Sequence, residues 1–195
     1  MRAAYFLLGI AFLIIIGSTL YFSPKNENTL PGIQAIMETP MTLTSAAFKG
    51  GDTIPSKFTC DGDSISPPLS IDGVPEGTVS LVLIMDDPDV PKALKPDGVF
   101  DHWVLYGLDP SLKEIPEGVS LGHIGLNGRG EPSYISPCPP SEYEPPEHRY
   151  VFTLYALNTS ISFVSAPTKA EVLKAIEGSS IAEAELTGTY KKIKN

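Results

Sequence analysis

The chain has 195 residues, of which 42% are hydrophobic and 19% are charged. This length suits about one domain, and this composition excludes general disorder. The 17 glycines and 19 prolines predict many turns and disfavour a helical bundle. A net charge of -9 opposes binding to the phosphate backbone of nucleic acids. We therefore expect a turn-rich globular domain with no nucleic-acid partner.

Residues 1–22 predict a transmembrane helix. The run from Ala3 to Phe22 contains no charged residue, and as a helix rising about 1.5 Å per residue it covers the ~30 Å hydrocarbon core of a bilayer. No A-x-A-like site follows the run, which favours an uncleaved signal anchor. Cleavage near residues 17–19 is the alternative.

The charges around this segment predict its orientation. Arg2 and the amino terminus precede it, and Lys25 follows it, which favours an amino terminus in the cytoplasm. Residues 23–40, rich in Pro and Asn, then form a linker, and residues 41–195 form the folded domain. We expect a single-pass membrane protein whose domain lies outside the cytoplasm.

The chain contains two cysteines, Cys60 and Cys138. Two cysteines this far apart in sequence form neither a CxxC redox motif nor a four-cysteine zinc site. At most one disulfide can form, and an oxidising compartment would permit it. The sequence leaves the paired and the free states open.

Three apolar runs predict the main strands of the domain. Val79–Met85 is apolar almost throughout, which indicates a central strand buried on both faces. His102–Leu108 and Arg149–Leu157 are rich in aromatic and β-branched residues. The connection between the last two, Asp109–Glu147, is rich in proline, which disfavours strand pairing, and a loop of this length is usually functional.

One helix is predicted near the carboxyl terminus. Thr168 and Glu171 form a capping box, and Gly178 is a natural helix end. An apolar stripe at helical spacing lies between them: Val172, Leu173 and Ile176. Residues 182–187 then alternate between apolar and polar side chains, which is typical of an outer strand.

Polar side chains cluster at the predicted strand ends. The acidic segment DDPDVP, residues 86–91, follows the central strand, while His102 and His148 open the other two. Alternation along a strand puts Tyr150 on the same face as His148. We expect two imidazoles, a carboxylate and a phenol to converge at one site.

Three residues near the predicted site are expected to be structural: Trp103, Arg149 and His123. Alternation puts His102 on the face opposite Trp103, which is expected in the core. Arg149 points away from the predicted site and is expected to pair with a nearby carboxylate. His123, in a glycine-rich loop, is expected to be structural.

Four motifs occur in order: DDPDVP, DHWVLY, SPCPPSEY and EHRYVFTLYAL. With them the chain resembles the phosphatidylethanolamine-binding protein (PEBP) family, in its bacterial and archaeal Raf kinase inhibitor-like branch. The similarity covers nearly all of residues 41–193. It implies a mainly β, PEBP-like fold, an antiparallel two-sheet β-sandwich with flanking α-helices. It also implies a small pocket that accepts phosphate or a phosphoethanolamine-like head group, without a cofactor.

The resemblance assigns the residues of this pocket by motif. Asp87 matches the aspartate of the DPD motif, and His102 and His148 match two pocket histidines, with Tyr150 on the same strand face. The turn at residues 138–140 matches a rim that offers backbone groups to the anion. The implied ligand-binding residues are Asp87, His102, Cys138, Pro140, His148 and Tyr150.

The chain departs from the usual pattern of this branch at the rim. Ser136 replaces a glycine, and the following turn is lengthened to residues 141–147. The lengthened turn adds three carboxylates: Glu142, Glu144 and Glu147. Because like charges repel, these carboxylates are expected to disfavour anionic ligands. Gly107 also stands where an asparagine is common.

Three functions follow as hypotheses. The first is a membrane-tethered protein that binds a phosphate or phosphoethanolamine-type head group without turnover. The second is a regulator or inhibitor of a partner kinase or protease, with residues 131–147 as the contact. The alternative is a metal-dependent hydrolase, because Asp87, His102 and His148 have the composition of a metal site. Neither a G-x-S-x-G elbow nor a phosphate-binding P-loop is present.

The two histidines predict a pH-dependent affinity. A protonated imidazole donates hydrogen bonds to an anion, whereas a neutral ring loses one donor. We therefore expect phosphate-type ligands to bind more tightly below pH ~6.5, the ordinary pKa of histidine.

Overall fold

The computed structural model describes residues 39–193. The predicted transmembrane helix, residues 1–22, and nearly all of the predicted linker, residues 23–40, lie outside the described residues. Among residues 39–193, no helix has the length and hydrophobicity that spanning a bilayer requires. The membrane anchor and the domain boundaries therefore stay predictions.

The described chain forms a mainly β domain with eight strands and one α-helix. The first four strands are β1 (Thr42–Thr44), β2 (Leu69–Asp72), β3 (Ser80–Asp87) and β4 (Phe100–Leu108). The others are β5 (Glu114–Ile115), β6 (His123–Ile124), β7 (Glu147–Leu157) and β8 (Ser180–Lys191). The helix α1 spans Lys169–Ile176, and a short 3-10 helix spans Ser56–Phe58.

The strands form two antiparallel sheets. One sheet has the order β1-β2-β5, and the other has the order β6-β4-β3-β7-β8. The antiparallel two-sheet fold implied by the resemblance is confirmed. The plural flanking α-helices are wrong for residues 39–193, which contain only α1. Most other connections are rich in Pro and Gly, which do not sustain a helix.

The strand β3 lies at the centre of the larger sheet, as its apolar sequence predicts. Leu81, Leu83 and Met85 are fully buried in the core between the two sheets. Val82 and Ile84 point to the other face, where they belong to a second core with side chains of α1. Apolar side chains on both faces of β3 are buried, so the prediction of a strand covered on both sides is confirmed.

The helix α1 begins and ends where the sequence predicts. The backbone N–H of Thr168 donates to Glu171 at 2.8 Å, and the Thr168 hydroxyl accepts from the backbone of Glu171, which completes the capping box. Val172 and Ile176 bury the apolar stripe of the helix. Gly178 has a φ of 74°, which glycine adopts without strain and which ends the helix. The strand β8 follows and pairs with β7 as the predicted outer strand.

The connection between β4 and β7 contains two short strands, so the prediction that it lacks strand pairing is wrong in part. β5 pairs with β2, and β6 pairs with β4. Both strands precede Pro132, and none occurs between residue 125 and β7. The prolines of this second half lack the backbone N–H that a ladder needs, which explains why pairing stops there.

Candidate ligand-binding site

The ends of three strands border a cavity of about 160 Å³. Because β3 is antiparallel to both β4 and β7, its end lies beside the beginnings of those strands, and Asp86 pairs with Asp101 and with Val151. The cavity is lined by all six residues that the resemblance assigns to the pocket: Asp87, His102, Cys138, Pro140, His148 and Tyr150. Their convergence is observed, whereas ligand binding by them stays a prediction.

A β-bulge in β4 turns His102 into the cavity. Trp103 pairs with Met85, but the next pair joins Asp86 to Asp101, so His102 is an extra residue with no partner opposite. A bulge interrupts the alternation of side chains and re-aims one of them. The ring of His102 lies 5.2 Å from that of the cavity tyrosine, while Trp103 is fully buried in the core between the sheets. The prediction that these two residues face opposite sides is therefore wrong.

Asp87 orients His148. Both side chains are buried, and His148 Nδ1 lies 2.6 Å from Asp87 Oδ2. A carboxylate only accepts, so Nδ1–H is the donor. The other carboxylate oxygen of Asp87 accepts from the backbone N–H of Asp89 at 2.9 Å, which fixes the turn. Nε2 of His148 is buried and has no hydrogen-bond partner among residues 39–193.

Tyr150 places a buried hydroxyl beside the two histidines. The residue is fully buried, and its hydroxyl forms no hydrogen bond of good geometry within the described part of the chain. Burial raises the pKa of Tyr150, and the Asp87 carboxylate adds to this effect, while the backbone N–H of Cys138 acts against it. The hydroxyl therefore stays protonated and offers a donor.

A hydrogen bond from Nδ1 to the backbone fixes the ring of His102. Its Nδ1 lies 2.7 Å from the carbonyl oxygen of Ile135, to which it donates. Burial lowers the pKa of His102, although the Ile135 carbonyl and the carboxylates of Asp87 and Asp101 favour the charged ring. The neutral ring therefore persists to lower pH than in an exposed histidine, with the lone pair on Nε2.

The three carboxylates at the end of β3 have three different partners. Asp86 lies on the α1 side of the sheet, where its Oδ1 is 3.0 Å from Lys169 Nζ. Asp89 accepts two hydrogen bonds from the guanidinium of Arg149, with Nη2–Oδ1 at 2.7 Å and Nε–Oδ2 at 2.9 Å, and a third from the Arg149 backbone N–H at 2.9 Å. The predicted pairing of Arg149 with a nearby carboxylate is confirmed. Of these three acids, only Asp87 lines the cavity.

A disulfide fixes one wall of the cavity. Cys60 and Cys138 are bonded, with Cα atoms 5.4 Å apart. The backbone N–H of Cys60 also donates to the carbonyl oxygen of Pro137 at 3.0 Å. The sequence leaves the state of the cysteines open, and the structure pairs them. The rim that carries Cys138 and Pro140 is thereby attached to the loop after the 3-10 helix.

Arg129 lines the cavity without having been predicted. Its charge lies close enough to His102 to lower the pKa of that ring. The sequence around it, Asn-Gly-Arg-Gly, indicates a turn but not the direction of the arginine side chain. Sequence reasoning also missed the apolar part of the lining: Val90, Leu94, Phe100 and Ile135.

The departures from the family pattern lie mostly at the edge of the site. Ser136 lines the cavity, whereas the three added carboxylates are exposed and do not line it: Glu142, Glu144 and Glu147. Salt and solvent therefore screen their repulsion of an anion. Gly107 has a φ of 63°, a conformation that asparagine also tolerates. His123 is exposed outside the cavity and stacks on Tyr106, with ring centroids 5.2 Å apart.

The site does not have the arrangement of a metal centre. Between residues 39 and 193, no group of three or more His, Cys, Asp or Glu side chains is placed to hold a metal ion. Both carboxylate oxygens of Asp87 already accept hydrogen bonds, one from His148 Nδ1 and the other from the backbone N–H of Asp89. The alternative of a metal-dependent hydrolase at these three residues is therefore unsupported.

Fold and site together define a class of protein: a two-sheet, mainly β domain with a small partly buried cavity where three strand ends meet. Residues 44–191 match the phosphatidylethanolamine-binding protein family. The chain belongs to this family, as its motifs imply.

Relatives occur in bacteria and archaea. A UPF0098 protein of Chlamydia trachomatis is 46% identical over 153 residues, covering 78% of this chain and 99% of the relative. A UPF0098 protein of Methanothermobacter thermautotrophicus is 42% identical over 159 residues, with the same coverage of 78% and 99%. These organisms are consistent with the bacterial and archaeal branch.

Solved structures show the same fold. The crystal structure of a PEBP homologue from Chlamydia trachomatis has a TM-score of 0.75 at 46% identity, covering 79% of this chain and 99% of that one. The crystal structure of Escherichia coli YbcL, described as a new member of the mammalian PEBP family, has a TM-score of 0.69 at 27% identity. That match covers 80% of this chain and 100% of the other.

Proposed function

We propose that the cavity binds a phosphate or phosphoethanolamine-type group. Two buried polar atoms carry the proposal: His148 Nε2 and the Tyr150 hydroxyl, which have no hydrogen-bond partner of good geometry among residues 39–193. Both residues line the cavity. Because buried polar atoms in native proteins nearly always have partners, these two are available to a bound ligand. The description of the family supports the same class of ligand.

The cavity suits an anion even though the chain is negatively charged overall. The hydroxyl of Tyr150 donates, and Arg129 supplies a permanent positive charge. Nε2 of His102 donates once that ring gains a proton at low pH, and Nε2 of His148 is the buried atom without a partner among the described residues. Asp87 Oδ2 already accepts a hydrogen bond from His148 Nδ1, so this oxygen does not face the anion unpaired. Phosphate oxygens accept from the Tyr150 hydroxyl, from Arg129 and from a protonated imidazole.

Calorimetric titration of the full chain in a phosphate-free detergent tests this function. Wild type is expected to bind phosphate and phosphoethanolamine saturably. Tyr150→Phe removes only the orphan hydroxyl and should weaken binding about tenfold or more, since a hydrogen bond to a charged group contributes about 1.5–3 kcal/mol. Tyr143→Phe, on the exposed turn outside the cavity, is the control and should bind like wild type. Wild type that binds neither compound contradicts the proposal.

We also propose that residues 1–22 hold the domain at a membrane, on the side away from the cytoplasm. The uncharged run in these residues supports the anchor, and the Cys60–Cys138 disulfide supports an oxidising compartment. After an alkaline wash, the full chain should stay with the membrane, and a variant without residues 1–22 should be released. A soluble full chain contradicts the anchor. A kinase or protease partner at residues 131–147 stays a prediction.

A further inference from the structure

The first cavity adjoins a second one of about 340 Å³. The two cavities share four wall residues: Arg129, Ile135, Ser136 and Cys138. The first cavity is smaller than the about 300–1,000 Å³ typical of small-molecule sites, whereas the two together fall within that range. The combined volume of the two adjoining cavities is therefore larger than a phosphate group alone requires.

The second cavity is lined mainly by polar side chains. Ser64, Ser133 and Ser136 contribute hydroxyls, and Glu131 contributes a carboxylate, with Arg129 at the junction between the cavities. Glu131 forms no ion pair within residues 39–193, so its carboxylate is free to accept hydrogen bonds. Such a lining suits a hydroxylated group and disfavours an acyl chain, which would leave these polar groups without partners.

A buried asparagine shapes this part of the wall. Asn127 is 5% exposed, and its Oδ1 accepts from the backbone N–H groups of Arg129 at 2.9 Å and Glu131 at 3.2 Å. Its Nδ2 donates to the carbonyl oxygen of Ser133 at 3.0 Å and to the Ser133 hydroxyl at 3.1 Å. The Ser133 hydroxyl therefore acts as the acceptor here and keeps its own proton for a ligand. The loop is thus fixed in shape before any ligand arrives.

The same loop packs against the first cavity. The backbone N–H of Gly128 donates to the carbonyl oxygen of Asp101 at 2.7 Å. A Cβ at Gly128 would lie 2.7 Å from the ring of Phe100, so only glycine permits this close approach. Phe100 lines the first cavity. The loop therefore presents Arg129 to both cavities and Glu131 to the second cavity alone.

We propose that the two cavities form one bipartite site for the phosphate ester of a small polyol, such as a glycerol phosphate. The phosphate occupies the first cavity and contacts Arg129. The hydroxyls of the polyol occupy the second cavity, where Glu131 accepts from them and Ser133 donates to them. This inference rests on the proposed phosphate binding and specifies the part of the ligand beyond the phosphate.

Calorimetry on the full chain compares inorganic phosphate with sn-glycerol 3-phosphate. Wild type should bind the glycerol ester at least about tenfold more tightly, which corresponds to one hydrogen bond to a charged group. Glu131→Ala should lower the ratio of the affinity for the glycerol ester to that for phosphate towards one. Glu142→Ala is the matched control, because it removes an exposed carboxylate that lines neither cavity, and it should retain the full preference. Thermal unfolding checks that both variants are folded.

The outcomes separate this inference from the function on which it rests. Wild type that binds both compounds equally, or a Glu131→Ala variant with an unchanged preference, overturns the bipartite site and leaves phosphate binding standing. Wild type that binds neither compound overturns both. Competition with phosphatidylglycerol vesicles distinguishes the source: displacement of sn-glycerol 3-phosphate supports the bipartite site with a lipid head group as ligand. If free polyol phosphates displace sn-glycerol 3-phosphate but the vesicles do not, the result supports the bipartite site with a soluble ligand.

Discussion

Two histidines and a tyrosine give the cavity its chemistry, and each is held differently. His148 is bonded to a buried carboxylate, whereas His102 is bonded to a backbone carbonyl. Because both rings use Nδ1 for the protein, both keep Nε2 for a ligand. Tyr150 packs edge-on against His102, with ring centroids 5.2 Å apart, and keeps its proton. The protonation state of His102 therefore decides whether its Nε2 donates to an anion.

The lowered pKa of His102 predicts how phosphate affinity changes with pH. Burial disfavours the charged ring, so the free site gains this donor only below the ordinary value of about 6.5. Phosphate affinity should rise as the pH falls below that value. The rise should begin at a lower pH than it would for an exposed histidine. His102→Gln keeps a polar side chain that does not titrate, and its rise should be shallower. Calorimetry from pH ~5 to ~8 measures both profiles, bracketing the histidine value.

The titration of phosphate itself affects wild type and His102→Gln equally, so only the difference between their profiles reports on the ring. Parallel profiles would show that His102 does not contact the anion. The Tyr150→Phe variant, which keeps both histidines, should retain the slope of wild type at lower affinity.

At the scale of elements, α1 contacts the larger sheet through a shared lysine. Lys169 Nζ of α1 lies 3.0 Å from Asp86 of β3 and 2.6 Å from Asp101 of β4. Burial raises the pKa of Asp86 to about 6, although Lys169 favours the charged form. A carboxyl group with a raised pKa in the folded state destabilises the fold once it is deprotonated. This penalty is absent below the unfolded value of 3.8, grows up to about pH 6 and is constant above.

Asp86→Asn cannot lose a proton and should escape this penalty. Relative to wild type, the variant should therefore gain about 1 kcal/mol in free energy of unfolding between pH 5 and pH 7. The gain arises mainly below about pH 6, where each pH unit corresponds to about 1.4 kcal/mol per proton. Urea unfolding at both pH values measures the difference. Asp63→Asn, at an exposed position, serves as control. A difference that is the same at both pH values would contradict the raised pKa.

The disulfide connects the rim of the cavity to a distant loop. Its cysteines are separated by 78 residues, and loop-closure entropy for such a separation predicts about 4–5 kcal/mol of stabilisation. The double variant Cys60→Ser, Cys138→Ser should lose about 2–5 kcal/mol in urea unfolding. Phosphate affinity should fall as well, because Cys138 lines the cavity. Wild type in reductant should behave like the variant, and equal stability with and without reductant argues against the bond.

The elements differ in how far the sequence predicts them. The apolar run of β3 and the capping box of α1 depend on residues a few positions apart, so local patterns predict both. The bulge at His102 could not be predicted, because one extra residue leaves no mark in the alternation of a short strand. The direction of Arg129 depends on the bonds that Asn127 makes within a folded loop. The motifs shared with the family predicted all six pocket residues, whereas strand alternation alone predicted the wrong face for His102.

At the scale of the whole molecule, the site joins segments that are distant in sequence. β3 contributes Asp87, β4 contributes His102, and β7 contributes His148 and Tyr150, while the connection before β7 contributes the rim. The pairing of β3 with β4 and β7 brings these segments together. The Arg149–Asp89 ion pair then links β7 to the turn after β3, and the disulfide links the rim to the loop that carries Cys60. The cavity is thus a consequence of the antiparallel sheet rather than of one local motif.

The central claim is that the imidazoles of the cavity contact the anion. Nitrogen-15 NMR of the histidine side chains tests it most directly, because the chain has three histidines, of which His123 lies outside the cavity. Addition of phosphate should shift the Nε2 signals of His102 and His148 and leave those of His123 unchanged. Signals of all three rings that do not move, or a shift confined to His123, would contradict the account.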